Sequence, residues 1–402
     1  MKSPVFLVAS FCVALVLSLL GFMAPAAVLG DIMRDWSLTN TQAGWLGGAL
    51  FAGYIATVPV LTAYTDRVDP KRIYLVCAAI GAVGNFGFGF VADGLWSGVV
   101  FRVMTGIGLA GTYMPGLKAL TDQLSPGRAQ QRGTTYYTSV FALGSGLSIL
   151  IGGIAGDLAD WHLAFAVAGA GAAGAFVIVA LVLPAKPPVP GSAPAGAALD
   201  FRPVLRNRPV MGYIGSFLGI AWEVFASRVW LVSFFLYLQT RLPAGETGWS
   251  PALWATIVAL VGVPAAMAIG ELSVRYSRRA ILLGVAGASA ALAVSIGLTA
   301  DMAYEIPLTL CILFGMVSYG RSSATTAGTI SVADPKRRGA TLAVQAFIGF
   351  SGGILGPLAV GVALDSAGGL AGGGAAWSLG MYVMAAGPVL SILSLLVLAR
   401  RA

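Results

Sequence analysis

Apolar runs of about twenty residues recur twelve times along the chain, near 5–29, 41–64, 73–92, 95–118, 134–156, 163–184, 210–239, 251–273, 280–300, 306–331, 340–364 and 376–399. Each is long enough for a helix to cross roughly 30 Å of hydrocarbon. Lipid offers no partner for peptide N–H and C=O groups, so a spanning segment must be a helix or part of a closed barrel. Runs of this length are too long for barrel strands. Only 10% of the residues are charged, where a soluble chain carries about 25%. The sequence therefore describes an all-α polytopic membrane protein with twelve transmembrane helices. The first run exceeds the roughly 7–15 apolar residues of a signal peptide, and is expected to be the first helix.

Lys and Arg set the orientation. Eighteen of the 24 basic residues flank the side that holds both termini, against only Arg34 and Arg241 on the other. The positive-inside rule then makes both termini cytoplasmic. The net charge of +8 is accounted for by topology and contact with anionic lipid, and calls for no nucleic acid. No Asn-x-Ser/Thr sequon occurs, which fits a bacterial inner membrane. Cys12, Cys77 and Cys311 all lie in apolar runs, which argues against a disulfide framework.

One long connection interrupts the runs. It is rich in Pro, Ala and Gly at first and basic later, the composition of an extended linker. It divides the chain into an N-terminal six-helix bundle (1–184), a cytoplasmic linker (185–209) and a C-terminal six-helix bundle (210–402). The halves repeat. Arg132, Gly133, Phe141, Ser145 and Gly146 match Arg338, Gly339, Phe347, Ser351 and Gly352 at an offset of 206.

Four basic residues fall inside the spans: Arg102, Lys118, Arg228 and Arg321. Lys118 is near enough to an end to snorkel. Glu223 is the one acid near mid-membrane. A charge there costs at least about 2.5–3.5 kcal/mol, so it needs water, a partner or a ligand. Glu223, Ser227, Trp230, Phe234 and Tyr237 follow helical spacing and share one face, which is expected to look into a cavity. A buried Glu–Arg pair that only joins helices is the plainer alternative. Glu223 and Arg228 stand about 140° apart around the helix, so Arg321 or Arg102 is the expected partner of Glu223.

Two apparent motifs carry no chemistry. Gly106-x-Gly108-x-x-Gly111 lacks the strand–helix setting of a dinucleotide site. Leu117 interrupts the Gly-Lys step that a P-loop needs between Gly111 and Lys118. No catalytic constellation, cofactor site or metal site is expected, and His162 reads as incidental. The chain is not expected to be an enzyme.

Three signatures point to a family. After the second span, TAYTDRVDPKR keeps Asp66, Arg67, Lys71 and Arg72 of a Gly-x-x-x-Asp-Arg/Lys-x-Gly-x-Arg/Lys-Arg/Lys loop, with Thr62 and Asp69 at the glycine positions. After the eighth, GELSVRYSRRA keeps Gly270, Arg275 and Arg279, with Val274 in place of the acid. In the fourth, RVMTGIGLA carries Arg102, Gly106, Gly108 and Ala110. With the twofold six-span repeat, the chain resembles the major facilitator superfamily (MFS) over essentially its whole length.

The resemblance implies a monomeric transporter working by alternating access, whose first, fourth, seventh and tenth spans line a central cavity. Arg102, Glu223, Arg228 and Arg321 all lie on such spans. Three guanidiniums against one carboxylate favour an anionic solute, since the guanidinium fork suits carboxylate or phosphate. Arg228, Arg321 and Arg102 are thus expected to bind the charge of a small organic or inorganic anion. Trp230, Phe234 and Tyr237 would supply apolar contacts, and Ser322 and Thr325 polar ones. Glu223 would couple protons, and Asp66, Arg67, Arg72 and Arg275 would gate the cytoplasmic face. The fifth and eleventh spans also resemble nitrate- and cyanate-type porters. The arginines that nitrate porters carry in spans two and eight are absent before Arg275, which argues against nitrate. The antiporter pattern Gly-x-x-x-Gly-Pro is missing at Gly144-x-x-x-Ser148, so proton symport is favoured. The alternative is a proton-driven exporter of amphipathic or cationic compounds.

Overall fold

The computed structural model of the chain describes residues 3–65, 67–184, 201–243 and 248–399. Among them every regular element is helical and no strand occurs. The first six spans are α1 (Pro4–Leu19) with α2 (Ala24–Ala27) and α3 (Leu29–Asp35), then α4 (Asn40–Tyr64), α5 (Pro70–Phe90), α6 (Leu95–Thr121), α7 (Arg128–Leu158) and α8 (Trp161–Val182). After a short α9 (Arg202–Arg206) come α10 (Arg208–Gln239), α11 (Pro251–Arg275), α12 (Arg278–Leu298) and α13 (Glu305–Val332). The eleventh span is α14 (Arg338–Val344), a π-helical turn (Gln345–Gly349) and α15 (Phe350–Ser366), and the twelfth is α16 (Gly373–Leu398). Residues 185–200 of the expected linker lie outside the described residues, as does Asp66.

The first span is expected to be one helix over 5–29, and it is instead broken after Leu19. A break leaves backbone groups without helical partners, and lipid cannot satisfy them. Two polar side chains from distant spans take that role. Ser148 on α7 donates its hydroxyl to the Leu20 carbonyl at 2.6 Å and accepts the Met23 N–H at 2.9 Å. Arg102 on α6 donates through Nη1 to the Gly21 carbonyl (2.7 Å) and through Nη2 to the Phe22 carbonyl (2.9 Å). A planar fork suits two successive carbonyls. At Gly21 the Asn85 side chain lies close, and a Cβ there would require it to move, since its oxygen would stand 2.0 Å away. Replacing Arg102 by Leu is expected to cost about 2–4 kcal/mol by orphaning both carbonyls, with Arg102→Lys recovering part of the loss. Thermal unfolding of the detergent-purified protein measures this, and an unchanged midpoint in the Leu variant would contradict it.

Contacts sort the chain into two units, Met1–Trp36 with Ala49–Pro194, and Ser37–Gly48 with Ala195–Ala402. In the first, α5 packs chiefly on α6 and α8, and α1 on α7 and α8. In the second, α10 packs on α16, α15 and α13, α12 on α16 and α13, and α11 on α13.

The start of α4 belongs to the second unit, where Asp365 near the end of α15 caps it. Asp365 Oδ1 accepts the Asn40 N–H (3.0 Å) and side-chain amide (2.7 Å), and Oδ2 accepts the Thr41 N–H (2.8 Å) and hydroxyl (2.6 Å). A carboxylate at a helix N-terminus satisfies donors that the helix itself cannot. Close approach of α4 to α15 depends on glycine: a Cβ at Gly44 would meet the Pro357 carbonyl at 2.5 Å, and one at Gly361 the Asn40 carbonyl at 2.3 Å.

Candidate functional site

The site is built on α10. Asn207 caps its start by accepting the Val210 N–H at 3.3 Å, and Pro209 follows in the first turn, where its missing N–H costs nothing. Its 32 residues rise to about 48 Å, more than a bilayer core. Of its most apolar stretch, 83% is buried, against 61% or less in every other spanning helix of comparable hydropathy. Protein rather than lipid surrounds α10, and its polar side chains therefore meet other helices.

Glu223 is fully buried, and both of its carboxylate oxygens are engaged. Oε1 forms an ion pair with the equally buried Arg321 of α13. Oε2 accepts the hydroxyl of Ser289 on α12 at 2.9 Å. On a third side α16 presses close, since a Cβ at Gly387 would lie 3.1 Å from the Glu223 nitrogen. Such a pair gives up two hydration shells, and only good geometry with further hydrogen bonds offsets that loss.

Arg228, five residues on, takes a different setting. Its guanidinium carbon lies 4.8 Å from the centre of the Tyr319 ring and 5.8 Å from that of Phe225, close enough for cation–π attraction. The Tyr319 hydroxyl stands 3.3 Å from that of Ser227. Arg228 and the Glu223–Arg321 pair thus share α10 and α13, with Tyr319 two residues before Arg321. Thr325, one turn beyond Arg321, is buried, and its hydroxyl has no hydrogen-bond partner among the described residues. Ser322 reaches back toward the Tyr319 carbonyl at 3.5 Å.

The aromatic stripe of α10 does not line an open wall in this structure. Trp230 is fully buried and donates its indole N–H to the Pro357 carbonyl of α15 at 2.9 Å. Phe234 packs on Trp377 of α16 with ring centres 5.2 Å apart. Tyr237 also lies against Trp377, and its hydroxyl donates to Asp301 at 2.6 Å. Helical phase put these rings on one face, but their neighbours are helices of their own unit. Arg102 belongs to the first unit and holds the break of the first span.

Among the loop charges, Arg67 and Arg72 are exposed. Arg275 pairs with Glu271 one turn earlier at 2.8 Å, with both side chains well exposed, where such pairs contribute little. Asp69 and Lys71 have internal roles. Asp69 caps α5 by accepting the Lys71 N–H at 2.9 Å, and the Lys71 ammonium donates to the Ala180 carbonyl at 2.9 Å and to that of Leu183 at 2.5 Å. A cation there meets the negative end of the α8 dipole.

Three contributors escaped the sequence: Ser289, Tyr319 and Phe225. Phe225 sits one turn before Arg228, a spacing the sequence offers. Ser289 is one small polar residue in an Ala- and Gly-rich helix, where nothing local marks it.

Residues 6–357 match the family model described as the Major Facilitator Superfamily. Among similar proteins, the niacin transporter NiaP of Acinetobacter baylyi is 24% identical over 331 residues, covering 73% of each chain. The benzoate transport protein of the same organism is 24% identical over 143 residues, 34% of this chain and 30% of that one. A solved structure of a bacterial homolog to the human lysosomal transporter spinster, in an inward-facing and unoccupied conformation, superposes with a TM-score of 0.78. It shares 17% identity and covers 98% of this chain and 96% of that one, a likeness of fold.

Proposed function

We propose that this chain, which belongs to the Major Facilitator Superfamily, imports a small organic anion with protons, and that an aromatic monocarboxylate is the class its second unit fits best. As a member of that family it is a multi-pass secondary transporter of a small molecule and not an enzyme. The observation that carries the anion reading is Arg228 lying over Tyr319 and Phe225 on the two helices that also hold the Glu223–Arg321 pair. Two guanidiniums against one carboxylate leave the cluster with a surplus positive charge. Aromatic rings beside a guanidinium provide apolar surface for a ring and a cation for its carboxylate. Relatives whose names specify niacin and benzoate, both aromatic acids in their ionised forms, support the class.

Glu223 is the proton-coupling group in this reading. Protonation cancels its charge and removes the counter-ion of Arg321, whose guanidinium can then join Arg228 in holding the substrate carboxylate. Proton and anion enter the cluster together because each neutralises what the other leaves exposed. Working as a monomer in a bacterial inner membrane with both termini cytoplasmic, the protein would use Asp66, Arg67, Arg72 and Arg275 at its cytoplasmic face.

A thermal-shift series on the purified protein tests the substrate class. Ligands that bind only the folded state stabilise it by mass action, by about 2.7 kcal/mol at a hundred times Kd. Benzoate and nicotinate are expected to raise the unfolding midpoint, while benzamide and benzylamine leave it in place. Arg228→Ala is expected to abolish the benzoate shift. Stabilisation by benzylamine alone would overturn the anion reading in favour of an exporter of cationic compounds.

A further inference from the structure

We infer that Ser289 is a positioning residue that sets the pH at which Glu223 takes up and releases its proton; this rests on the proton-coupling role of Glu223. The argument begins with what each partner of the carboxylate can do. Arg321 offers donors only and cannot accept a hydrogen bond. It suits the ionised carboxylate best and cannot accept the O–H of the protonated one. Ser289 is different. Its hydroxyl lies 2.9 Å from Oε2, and both residues are fully buried. A hydroxyl donates or accepts according to how it rotates. With Glu223 ionised it donates to Oε2. With Glu223 protonated on that oxygen it can accept, while its own hydrogen turns to the carbonyl of Val285 one turn earlier, as helical serines do.

In a dry setting this matters, because a buried acid proton without an acceptor costs as much as any orphaned donor. Ser289 therefore keeps the neutral state satisfied at the moment when Arg321 is relinquished. The two modes are unequal: a hydrogen bond to a carboxylate is stronger than one from a neutral acid. Ser289 thus favours the ionised form on balance and lowers the pH at which the proton is captured.

Few other charges compete for control. On α13 the groups facing this region are Arg321 and Tyr319, and on α10 the nearest is Arg228. Residues 280–298 of α12 contain no ionisable side chain, and α16 contains only Tyr382. On α15 the one acid, Asp365, is held at the far end by Asn40 and Thr41. On α11, Glu271 and Arg275 pair with each other near its terminus.

Infrared titration of the full-length protein in lipid reads the carboxyl directly and needs no substrate. The protonated-carboxyl band that disappears in Glu223→Gln belongs to Glu223. In Ser289→Ala its pH midpoint is expected to rise by about one unit, the size of exchanging a charge-assisted for a neutral hydrogen bond. Ser289→Thr, which keeps the hydroxyl, is expected to restore the original midpoint, and a mere packing defect would not separate these two variants. A midpoint in Ser289→Ala equal to that of the unaltered protein would overturn the role of Ser289. Absence of any titrating Glu223 band between pH 4 and 10 would instead remove Glu223 from proton coupling, so the two failures are distinct.

Discussion

Arg321→Met is expected to destabilise the purified protein by about 3–5 kcal/mol at pH 8, and the Arg321→Met/Glu223→Gln double variant to recover most of that loss. The single variant leaves a carboxylate in a fully buried position with the Ser289 hydroxyl as its one remaining side-chain partner among the described residues. The double variant leaves a neutral amide beside a side chain of similar length, and no charge is stranded. The deficit of the single variant should also depend on pH. Without its guanidinium, a buried Glu223 holds its proton to higher pH in the folded than in the unfolded chain. The variant is then penalised as pH rises above the ordinary carboxylate range and spared as pH falls into it. Thermal unfolding at pH 5 and pH 8 measures both effects. Equal losses in the single and double variants would show that the pair is not energetically coupled.

The architecture was legible from the sequence because lipid imposes it. Apolar length sets the spans before any tertiary contact is known. The placement of charge was legible too: Glu223, Arg228 and Arg321 stood out because mid-membrane charge is costly. What could not be read was which neighbour each side chain would meet. Helical phase put Trp230, Phe234 and Tyr237 on one face, but not which helices would cover it, and α15 and α16 do. Pro25 and Gly21 mark the broken first span only in retrospect, since the groups that stabilise the break, Arg102 and Ser148, lie some 80 and 125 residues away. Asp365 capping Asn40 and Thr41 across more than 320 residues is equally invisible to local pattern. Ser289 acquires its meaning solely from Glu223.

The division of labour follows from the same contacts. Arg102 is spent on backbone carbonyls of the first unit, so the proposed exchange with substrate and proton is assigned to the charges on α10 and α13. A buried ion pair is poor glue when apolar packing of equal volume would serve as well or better. Its retention next to Arg228 and two aromatic rings is accounted for if the pair must open during the transport cycle. In the proposed cycle an anion and a proton arriving together would open it without leaving a naked charge.

Benzoate transport by proteoliposomes carrying Glu223→Gln is the most direct test of that account. One pH unit across the membrane can sustain up to about tenfold accumulation when one proton accompanies each anion. The unaltered protein is expected to accumulate benzoate under an inward proton gradient and to exchange labelled for unlabelled benzoate at equal pH. Glu223→Gln is expected to keep exchange within about twofold while accumulation above the outside concentration disappears, because glutamine fills the same space and cannot carry a proton. Accumulation by Glu223→Gln at the level of the unaltered protein would contradict the central claim that Glu223 couples proton to anion.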